Sequence, residues 1–366
     1  MEDKFYDENM NGVDWKFYVS HYRDFLPYIS NNRDFAEMMS ELLGELNASH
    51  TGARYRDMSL MFAPRTAYLG VLYDDSWSGE GLKIKELLPG SRLAQVKPDI
   101  APGDIIVSVD GVPVEAGTAW YEALMYKNGK KIVLGIKSGK KTSTVTLTPD
   151  SSDADGLYRR WVKGREDLVE RLSGGRIGYV HVKGMDSDSF REVYSRALGK
   201  YRTCDALIVD TRHNGGGWLH DDLATFLSGK AYIDFVPRGQ YIGTEPYSKW
   251  NKPSCVIIGE DNYSDASGFP YVYRQLGIGK LIGAPVPGTM TAVWWENQID
   301  PTIVFGIPEV TSVSRQDGSV LENQDIEPDI LVLNDPASVL RGEDLQIAAA
   351  VAELLKQIDA AKPVLK

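Results

Sequence analysis

The chain has 366 residues, of which 43% are hydrophobic and 25% are charged, and its formal net charge is −11. This composition is typical of a soluble globular protein, and the length suits two or three domains. The acidic balance and the lack of a Lys/Arg run argue against a nucleic-acid surface, and no apolar run approaches the roughly 18 residues that a membrane span needs.

Cysteines and the amino end give little information about the compartment. Cys204 and Cys255 are the two cysteines, and no CxxC pair is present, so neither a zinc site nor a redox motif is indicated. The amino end lacks a basic segment followed by an apolar stretch, so no signal peptide is predicted there. The sequence leaves the localisation unknown.

Residues 1–62 are predicted to be a helical amino-terminal region. Tyr18, Tyr22 and Phe25 recur at helical spacing, and a second run with helical periodicity ends at Gly44, a residue type common at helix C-termini. A polar turn that contains Ser49 and His50 follows.

Residues 63–149 change to short β-type runs separated by Gly and Pro. With the phrases Leu-Pro-Gly-Ser at 88–91 and Ala-Pro-Gly-Asp at 101–104, this segment resembles a PDZ domain. The resemblance places residues 68–71, including Leu69 and Gly70, where PDZ domains bind a peptide's C-terminal carboxylate through backbone N–H groups. A PDZ-like unit that binds no peptide is the alternative. The predicted strands are 68–73, 82–87, 104–109, 131–136 and 143–148.

Residues 150–156 form a polar linker, and residues 157–366 are predicted to be an α/β core. Strand-like and helix-like runs alternate there, which indicates a mostly parallel sheet with helices packed against it. The predicted strands are 177–182, 206–210, 255–260 and 280–283, and the predicted helices are 158–172, 219–228, 265–276 and 344–358.

Two strand ends carry the chemistry that the sequence suggests. The strand 206–210 leads into a loop with three glycines, Gly215 to Gly217, whose backbone N–H groups can face a ligand without obstruction by side chains. The strand at 255–260 is followed by Ser264 and a helix start, which offers the amide of Asp265. Amide donors opposite a serine suggest an oxyanion site facing a nucleophile.

Each candidate residue also has a simpler interpretation. Ser264 lies where a helix N-cap serine would lie. The base that a serine nucleophile needs is one of five histidines, of which His21 and His181 suit structural roles, whereas His50, His213 and His220 remain open. Glu322 could orient such a base, or it could belong to a surface turn.

Five collinear segments resemble the tricorn branch of the C-terminal-processing (tail-specific) serine peptidases. They are residues 172–182, the 210–217 loop, residues 263–283, Ser49-His50-Thr51 and the stretch from Glu322 to Ile330. The resemblance implies an α+β multidomain fold in which a helical amino-terminal region and a PDZ-like domain accompany a crotonase-like (ClpP/crotonase) catalytic core.

The same resemblance implies a catalytic tetrad and an oxyanion hole. Ser264 would be the nucleophile and His50 the general base, and Ser49 would bridge His50 to Glu322. The oxyanion hole would consist of the amide of Asp265 and that of Gly216 or Gly217. The base and the nucleophile are 214 positions apart in the sequence, so the amino-terminal part must fold against the core.

The tail-specific branch uses a Ser–Lys dyad with the lysine about 25 residues after the serine. No lysine lies between Lys280 and Lys356, and Thr289 stands at that distance from Ser264. The sequence therefore favours the histidine arrangement. The resemblance further implies an acidic residue that reads basic substrate side chains, and Asp234 is the candidate.

These patterns predict a serine peptidase that hydrolyses oligopeptides or polypeptides through an acyl-enzyme on Ser264, without a metal or an organic cofactor. The expected partners are peptide or unfolded protein substrates, and the family resemblance adds a possible homo-oligomer. An inactive peptide-binding protein that uses its PDZ-like domain is the alternative. A crotonase-like acyl-CoA enzyme would explain the amide donors but not the PDZ-like segment or Ser49-His50.

Overall fold

The computed structural model describes residues 1–58 and 63–360, and the chain divides into two compact units. The first unit combines Met1–Asp57 with Arg165–Lys366, and the second is Met58–Gly164. The helices are α1 Trp15–Arg23, α2 Asn32–Gly44, α3 Arg92–Val96, α4 Ala154–Ser173, α5 Ser187–Ser195, α6 His220–Leu227, α7 Asp265–Gln275, α8 Pro336–Leu340 and α9 Leu345–Ala360.

The strands are β1 Gly52–Tyr55, β2 Val71–Tyr73, β3 Leu82–Leu87, β4 Ile105–Val109, β5 Val112–Pro113, β6 Ile132–Ser138, β7 Lys141–Leu147, β8 Ile177–His181, β9 Ala206–Asp210, β10 Ile233–Phe235, β11 Gly243–Glu245, β12 Ser254–Ile258, β13 Lys280–Gly283, β14 Thr291–Asn297, β15 Ile303–Thr311 and β16 Ile330–Leu331.

A parallel five-stranded sheet forms the centre of the first unit, in the order β16-β13-β12-β9-β8. Every residue of β8, β9 and β12 is buried, which explains why these strands are nearly continuous apolar runs in the sequence. β9 and β12 are parallel neighbours. The loops that follow them therefore leave the sheet side by side, as the sequence predicted.

Helices cover both faces of this sheet. Val209 and Ile258 share a core with side chains of α5, α6 and α7, including Phe226 and Phe269. Residues that alternate with them, such as Ile257, are equally buried, and α9 packs against β9, β12 and β13. This packing fixes the strand ends from which the candidate site is built.

The amino-terminal region contains a strand in addition to the predicted helices. α1 and α2 are present, but Gly52–Tyr55 forms β1, which pairs antiparallel with β15 in a three-stranded sheet β1-β15-β14. The partner strand lies about 250 positions away in the sequence, so no local sequence pattern predicts the pairing. Residues 59–62 of the predicted region lie outside the described residues.

The second unit is a small antiparallel β structure. Its strands follow the order β2-β3-β4-β6-β7, and β5 pairs with β4. Fully buried aliphatic residues such as Ile84, Ile106 and Leu134 form its core. The predicted strands in this part correspond to β2, β3, β4, β6 and β7; the bounds of β3 are as predicted, and the other four strands have shifted ends. β2 is the edge strand and follows directly after Gly70.

The described helices include none with the length and apolar character that a bilayer crossing requires.

Candidate active site

Ser264 occupies a sharp turn between β12 and α7, and its backbone lies at φ 57° and ψ −125°. A residue with a side chain rarely adopts positive φ, and such strain concentrates at functional sites, as in the strand-to-helix turns that present nucleophilic serines. Ser264 is at the N-cap position of α7, yet its side chain makes no capping hydrogen bond. The geometry therefore does not support the helix-cap interpretation.

The glycine loop lies against this turn. A Cβ added to Gly216 would be 2.6 Å from the Cβ of Ser264, so the two backbones approach as closely as a glycine allows. The Tyr263 amide donates a 3.1 Å hydrogen bond to the carbonyl of Asn214, which ties the two loops together. The loop after β9 and the turn after β12 thus pack against each other and together form one side of the candidate site.

A buried ion-pair network holds the start of the glycine loop. The guanidinium of Arg212 binds Asp210 and Asp344, and the hydroxyl of Tyr179 donates to Asp210. Burial opposes charge on both partners, but the mutual attraction outweighs it, so the pKa of Asp210 is lowered and that of Arg212 is raised. Both groups stay charged, and the network anchors the loop to α9's amino end.

Of the candidate oxyanion donors, Gly216 is already engaged, since its amide donates a 2.9 Å hydrogen bond to Oδ1 of Asn214. The amides of Gly217 and Asp265 have no acceptor among the residues that the structure describes. Gly217 lies at φ 144°, and a side chain there would collide with the carbonyl of Met185. The geometry therefore favours Gly217 over Gly216 as a donor.

Ser49, His50 and Glu322 are brought together although His50 and Glu322 are 272 positions apart in the chain. Ser49 Oγ lies 2.8 Å from Nδ1 of His50 and donates a 3.1 Å hydrogen bond to Oε2 of Glu322. The Ser49 amide donates to the other carboxylate oxygen at 2.5 Å. Glu322 is only 5% exposed, so it is a buried carboxylate rather than part of a surface turn.

Thr291, which the sequence analysis did not identify, completes this group. Its hydroxyl lies 3.0 Å from Nδ1 of His50 and donates to the carbonyl of Ser49 at 3.1 Å. With the hydroxyl protons of Ser49 and Thr291 directed to a carboxylate and a carbonyl, both oxygens accept from Nδ1. The imidazole then carries its proton on Nδ1, which leaves Nε2 as an acceptor.

Tyr263 connects His50 to the turn of the nucleophile candidate. The amide of His50 donates a 2.8 Å hydrogen bond to the Tyr263 hydroxyl, and the two ring centroids are 4.7 Å apart. Burial lowers the pKa of His50 below its ordinary value. Within the described residues, Ser264 Oγ has no hydrogen-bond partner, so the direct bond from Ser264 to His50 is not formed.

Thr289, at the position where the tail-specific branch would have its lysine, touches the backbone of the nucleophile candidate. Its hydroxyl accepts a 2.7 Å hydrogen bond from the Ser264 amide, and the residue is 9% exposed. A threonine hydroxyl cannot replace a lysine amine as a base near neutral pH. The structure thus assigns Thr289 a role in fixing the strained turn, which no sequence signal indicated.

The remaining histidines occupy other environments. His21 stacks on Phe17 in α1, and buried His181 binds the carbonyl of Arg212 through Nε2. His213 contacts Asp261 through Nδ1, and its side chain is 63% exposed. His220 contacts the carboxylate of Asp265 through Nδ1. Because Asp265 is a candidate oxyanion donor, His220 touches a candidate site residue directly.

Asp234 lies in β10 of the β10–β11 hairpin and is exposed, opposite Thr244. Within the described part of the chain, Asp234 makes no hydrogen bond or ion pair with Ser264 or His50, so its proposed role in specificity has no geometric support. The described residues contain no group of three or more His, Cys, Asp or Glu side chains that could hold a metal ion.

Leu69 and Gly70 directly precede β2, the edge strand of the second unit. Leu69 is buried, its carbonyl accepts a 3.1 Å hydrogen bond from Ser91 Oγ, and Gly70 has φ 72°. The Gly70 amide donates a 3.1 Å hydrogen bond to Oδ1 of Asp153. A carboxylate from the chain itself therefore occupies the Gly70 amide, which the PDZ resemblance had assigned to a peptide carboxylate.

Family models match three segments of the chain. The model described as peptidase family S41 matches residues 176–332, which contain the glycine loop, Ser264 and Glu322. Residues 176–332 belong to peptidase family S41. The S41 domain is a hydrolase domain of the serine-type peptidase class. The tricorn protease C1 domain model matches residues 1–44, and the PDZ domain model matches residues 59–137.

The S41 domain and its flanking regions are also similar to complete proteins. Tricorn protease of Thermoplasma volcanium is 26% identical over 374 residues, which cover 98% of the chain and 35% of that relative. The putative tricorn-like protease C-terminal subunit of Sulfurisphaera tokodaii is 26% identical over 358 residues, which cover 94% of the chain and 41% of the relative. The chain thus spans well under half of each of these relatives.

A solved structure described as the crystal structure of the tricorn protease has the same fold. It superposes with a TM-score of 0.88 at 24% identity, and the match covers 98% of the chain and 36% of that protein. The expectation of an α+β fold with a PDZ domain and an S41-type core is confirmed.

Proposed function

We propose that the protein hydrolyses peptide bonds through an acyl-enzyme on Ser264, with His50, Ser49 and Glu322 completing a tetrad. The observation that carries the proposal is the turn of Ser264. Its strained backbone leaves the hydroxyl without a capping bond, the amides of Gly217 and Asp265 have no acceptor among the described residues, and His50 lies against the neighbouring Tyr263.

In the proposed acylation step, Nε2 of His50 takes the proton of Ser264 Oγ while Oγ forms a bond to the substrate carbonyl carbon. The carbonyl π electrons move to oxygen, and the resulting oxyanion accepts hydrogen bonds from the amides of Gly217 and Asp265. Collapse of this intermediate breaks the C–N bond, and His50 gives its proton to the leaving amine. Water then repeats the sequence on the ester and frees Ser264.

Glu322 would act through Ser49 rather than directly on the imidazole. When His50 becomes an imidazolium, its Nδ1–H keeps Ser49 and Thr291 as acceptors, and the buried carboxylate of Glu322 supplies the compensating negative charge through Ser49. The bond between Ser264 Oγ and Nε2 must close in the substrate complex, as catalytic hydrogen bonds often do on binding.

A fluorophosphonate probe tests the proposal, because it modifies activated serines. Mass spectrometry of the labelled intact protein should find the adduct on Ser264, and Ser264→Ala should abolish it. His50→Ala and Glu322→Gln should reduce the labelling rate by about 100-fold or more. His21→Ala and Glu327→Gln are matched controls at exposed positions, for which an unchanged rate is expected.

Labelling that persists in Ser264→Ala would refute the assignment of the nucleophile. A folded protein that is neither labelled nor able to cleave fluorescein-labelled casein would refute peptidase activity. That result would favour the alternative of an inactive peptide-binding protein.

The second candidate function, capture of peptide C-termini, is favoured by the fold of the second unit and the PDZ match. The loop at residues 68–71 precedes an edge strand that a peptide could extend. Asp153 already takes the Gly70 amide, so a peptide carboxylate must displace it. Peptide substrates, Asp234 as a specificity residue and assembly into homo-oligomers stay predictions.

A further inference from the structure

We propose that the carboxylate of Asp265, held by His220, is a positioning group that sets the geometry of both oxyanion donors. This inference rests on the proposed function, because it concerns the donors assigned to that reaction. From the sequence alone, His220 was a possible base, and Asp265 was a candidate only through its backbone amide.

The carboxylate of Asp265 belongs to one donor segment and binds the other. Asp265 follows Ser264 directly, and its own amide is one donor. Its Oδ2 accepts hydrogen bonds from the amides of Leu219, at 2.5 Å, and His220, at 3.1 Å. These amides come two and three residues after Gly217, which carries the other donor. A single buried group therefore links the two halves of the oxyanion hole.

The same carboxylate lies at the amino end of α6, where unpaired N–H groups and the helix dipole favour a negative charge. Leu219 is the N-cap residue of α6, but its side chain makes no capping hydrogen bond. The carboxylate of Asp265, a residue of α7, accepts hydrogen bonds from the amides at this helix end instead. The Asp265 side chain is 5% exposed, which shields the contact from water.

The imidazole of His220 fixes the remaining carboxylate oxygen, Oδ1, through its Nδ1. The hydrogen bond that His220 donates to the Asp265 carboxylate raises the pKa of His220, although burial opposes the shift. The ring also lies edge-on to the indole of Trp218, with centroids 5.5 Å apart. His220 thus prevents the Asp265 side chain from rotating away from the α6 amides.

The opposite side of the glycine loop is held by backbone pairing. The amide of Met185 donates to the carbonyl of Gly216 at 3.0 Å, and the amide of Trp218 donates to the carbonyl of Met185 at 2.7 Å. Gly217 lies between these two bonds. Met185 holds the residues on either side of Gly217, and Asp265 holds the amides of Leu219 and His220 that follow. The Gly217 amide therefore has little freedom to move. Loss of the Asp265 carboxylate would remove the second of these restraints.

The experiment compares His220→Ala, His220→Asn and Asp265→Ala in the full chain. The readouts are kcat and KM for a peptidyl-aminomethylcoumarin substrate that the wild-type protein cleaves, with thermal unfolding as a check on folding. Oxyanion contacts form in the transition state, so kcat should fall while KM changes less than about threefold. We expect losses of about 100-fold for Asp265→Ala and about 10-fold for His220→Ala.

His220→Asn should recover most of the lost kcat, because its amide nitrogen places an N–H donor near the position of Nδ1. His213→Ala removes the other histidine paired with an aspartate and should leave kcat within about threefold. The proposal is overturned if the wild type is active and His220→Ala matches it, or if His220→Asn is as impaired as His220→Ala. A wild type without activity and without probe labelling would instead refute the proposed function.

Discussion

The backbone amide of His50 donates a 2.8 Å hydrogen bond to the hydroxyl of Tyr263, the residue that precedes Ser264. Their rings are also in contact, with centroids 4.7 Å apart. His50 itself lies at φ 62°, an uncommon conformation that neighbouring contacts must hold in place. The candidate base is therefore positioned by the same turn that presents the candidate nucleophile.

Tyr263→Phe should lower kcat by about 3- to 10-fold, which corresponds to the loss of one hydrogen bond of about 1 kcal/mol. The phenyl ring preserves the contact with the imidazole, so the free energy of unfolding should change little. Steady-state kinetics on a fluorogenic peptide measure the effect. Tyr271→Phe, on α7, is the matched control, and equal losses in both variants would show that the Tyr263 hydroxyl has no special role.

Thr291→Val should lower kcat by about 10-fold, because it removes one of the two oxygens that accept from Nδ1 of His50. Nitrogen chemical shifts of the imidazole should show less of the Nδ1–H tautomer, and Thr291→Ser should restore both properties.

Thr311 provides the control for that change, since it pairs with Thr291 across β14 and β15. Its buried hydroxyl has no hydrogen-bond partner among the described residues. Thr311→Val should leave the kinetics unchanged and keep or increase the free energy of unfolding. An unaltered tautomer ratio in Thr291→Val would contradict the assignment.

The rate of inactivation by a fluorophosphonate should rise with pH and reach half its maximum below about pH 6.5, the ordinary pKa of histidine. Burial disfavours the imidazolium form of His50 and lowers its pKa, so the proton leaves at lower pH and the neutral base is present at neutrality. Rates measured from pH 4.5 to 9 test this. A midpoint of the rate profile above pH 6.5 would mean that the surroundings of His50 favour its charged imidazolium form rather than oppose it.

Asp153→Ala should increase the affinity of the second unit for a peptide with a free C-terminal carboxylate by about 10-fold or more. The change frees the Gly70 amide, and it removes a carboxyl group whose pKa burial has raised. Fluorescence anisotropy in the Ser264→Ala background measures binding without cleavage. The affinity for the same peptide with an amidated C-terminus should not increase. An equal increase in affinity for both peptides would exclude carboxylate capture at Gly70.

The sequence was most informative where burial leaves a local pattern. The apolar runs of β9 and β12 predicted a parallel sheet, and adjacent strand ends followed from it. It was least informative for β1, β14 and β15, whose pairing depends on partners far along the chain. Thr289 was notable only as the residue where a lysine would stand, and Thr291 has no periodicity, so nothing in the sequence indicated their contacts with Ser264 and His50.

The order of motifs along the chain carried the family resemblance, and that resemblance predicted the peptidase core, the PDZ-like segment and the candidate tetrad. The tertiary structure decided which of these groups meet. In the folded chain, the amide of Gly216 donates to Asn214 and that of Gly70 donates to Asp153. Nδ1 of His50 lies within hydrogen-bond distance of both Ser49 and Thr291. The physical reason is that hydrogen bonds depend on distances and directions over a few ångströms, which only the folded chain determines.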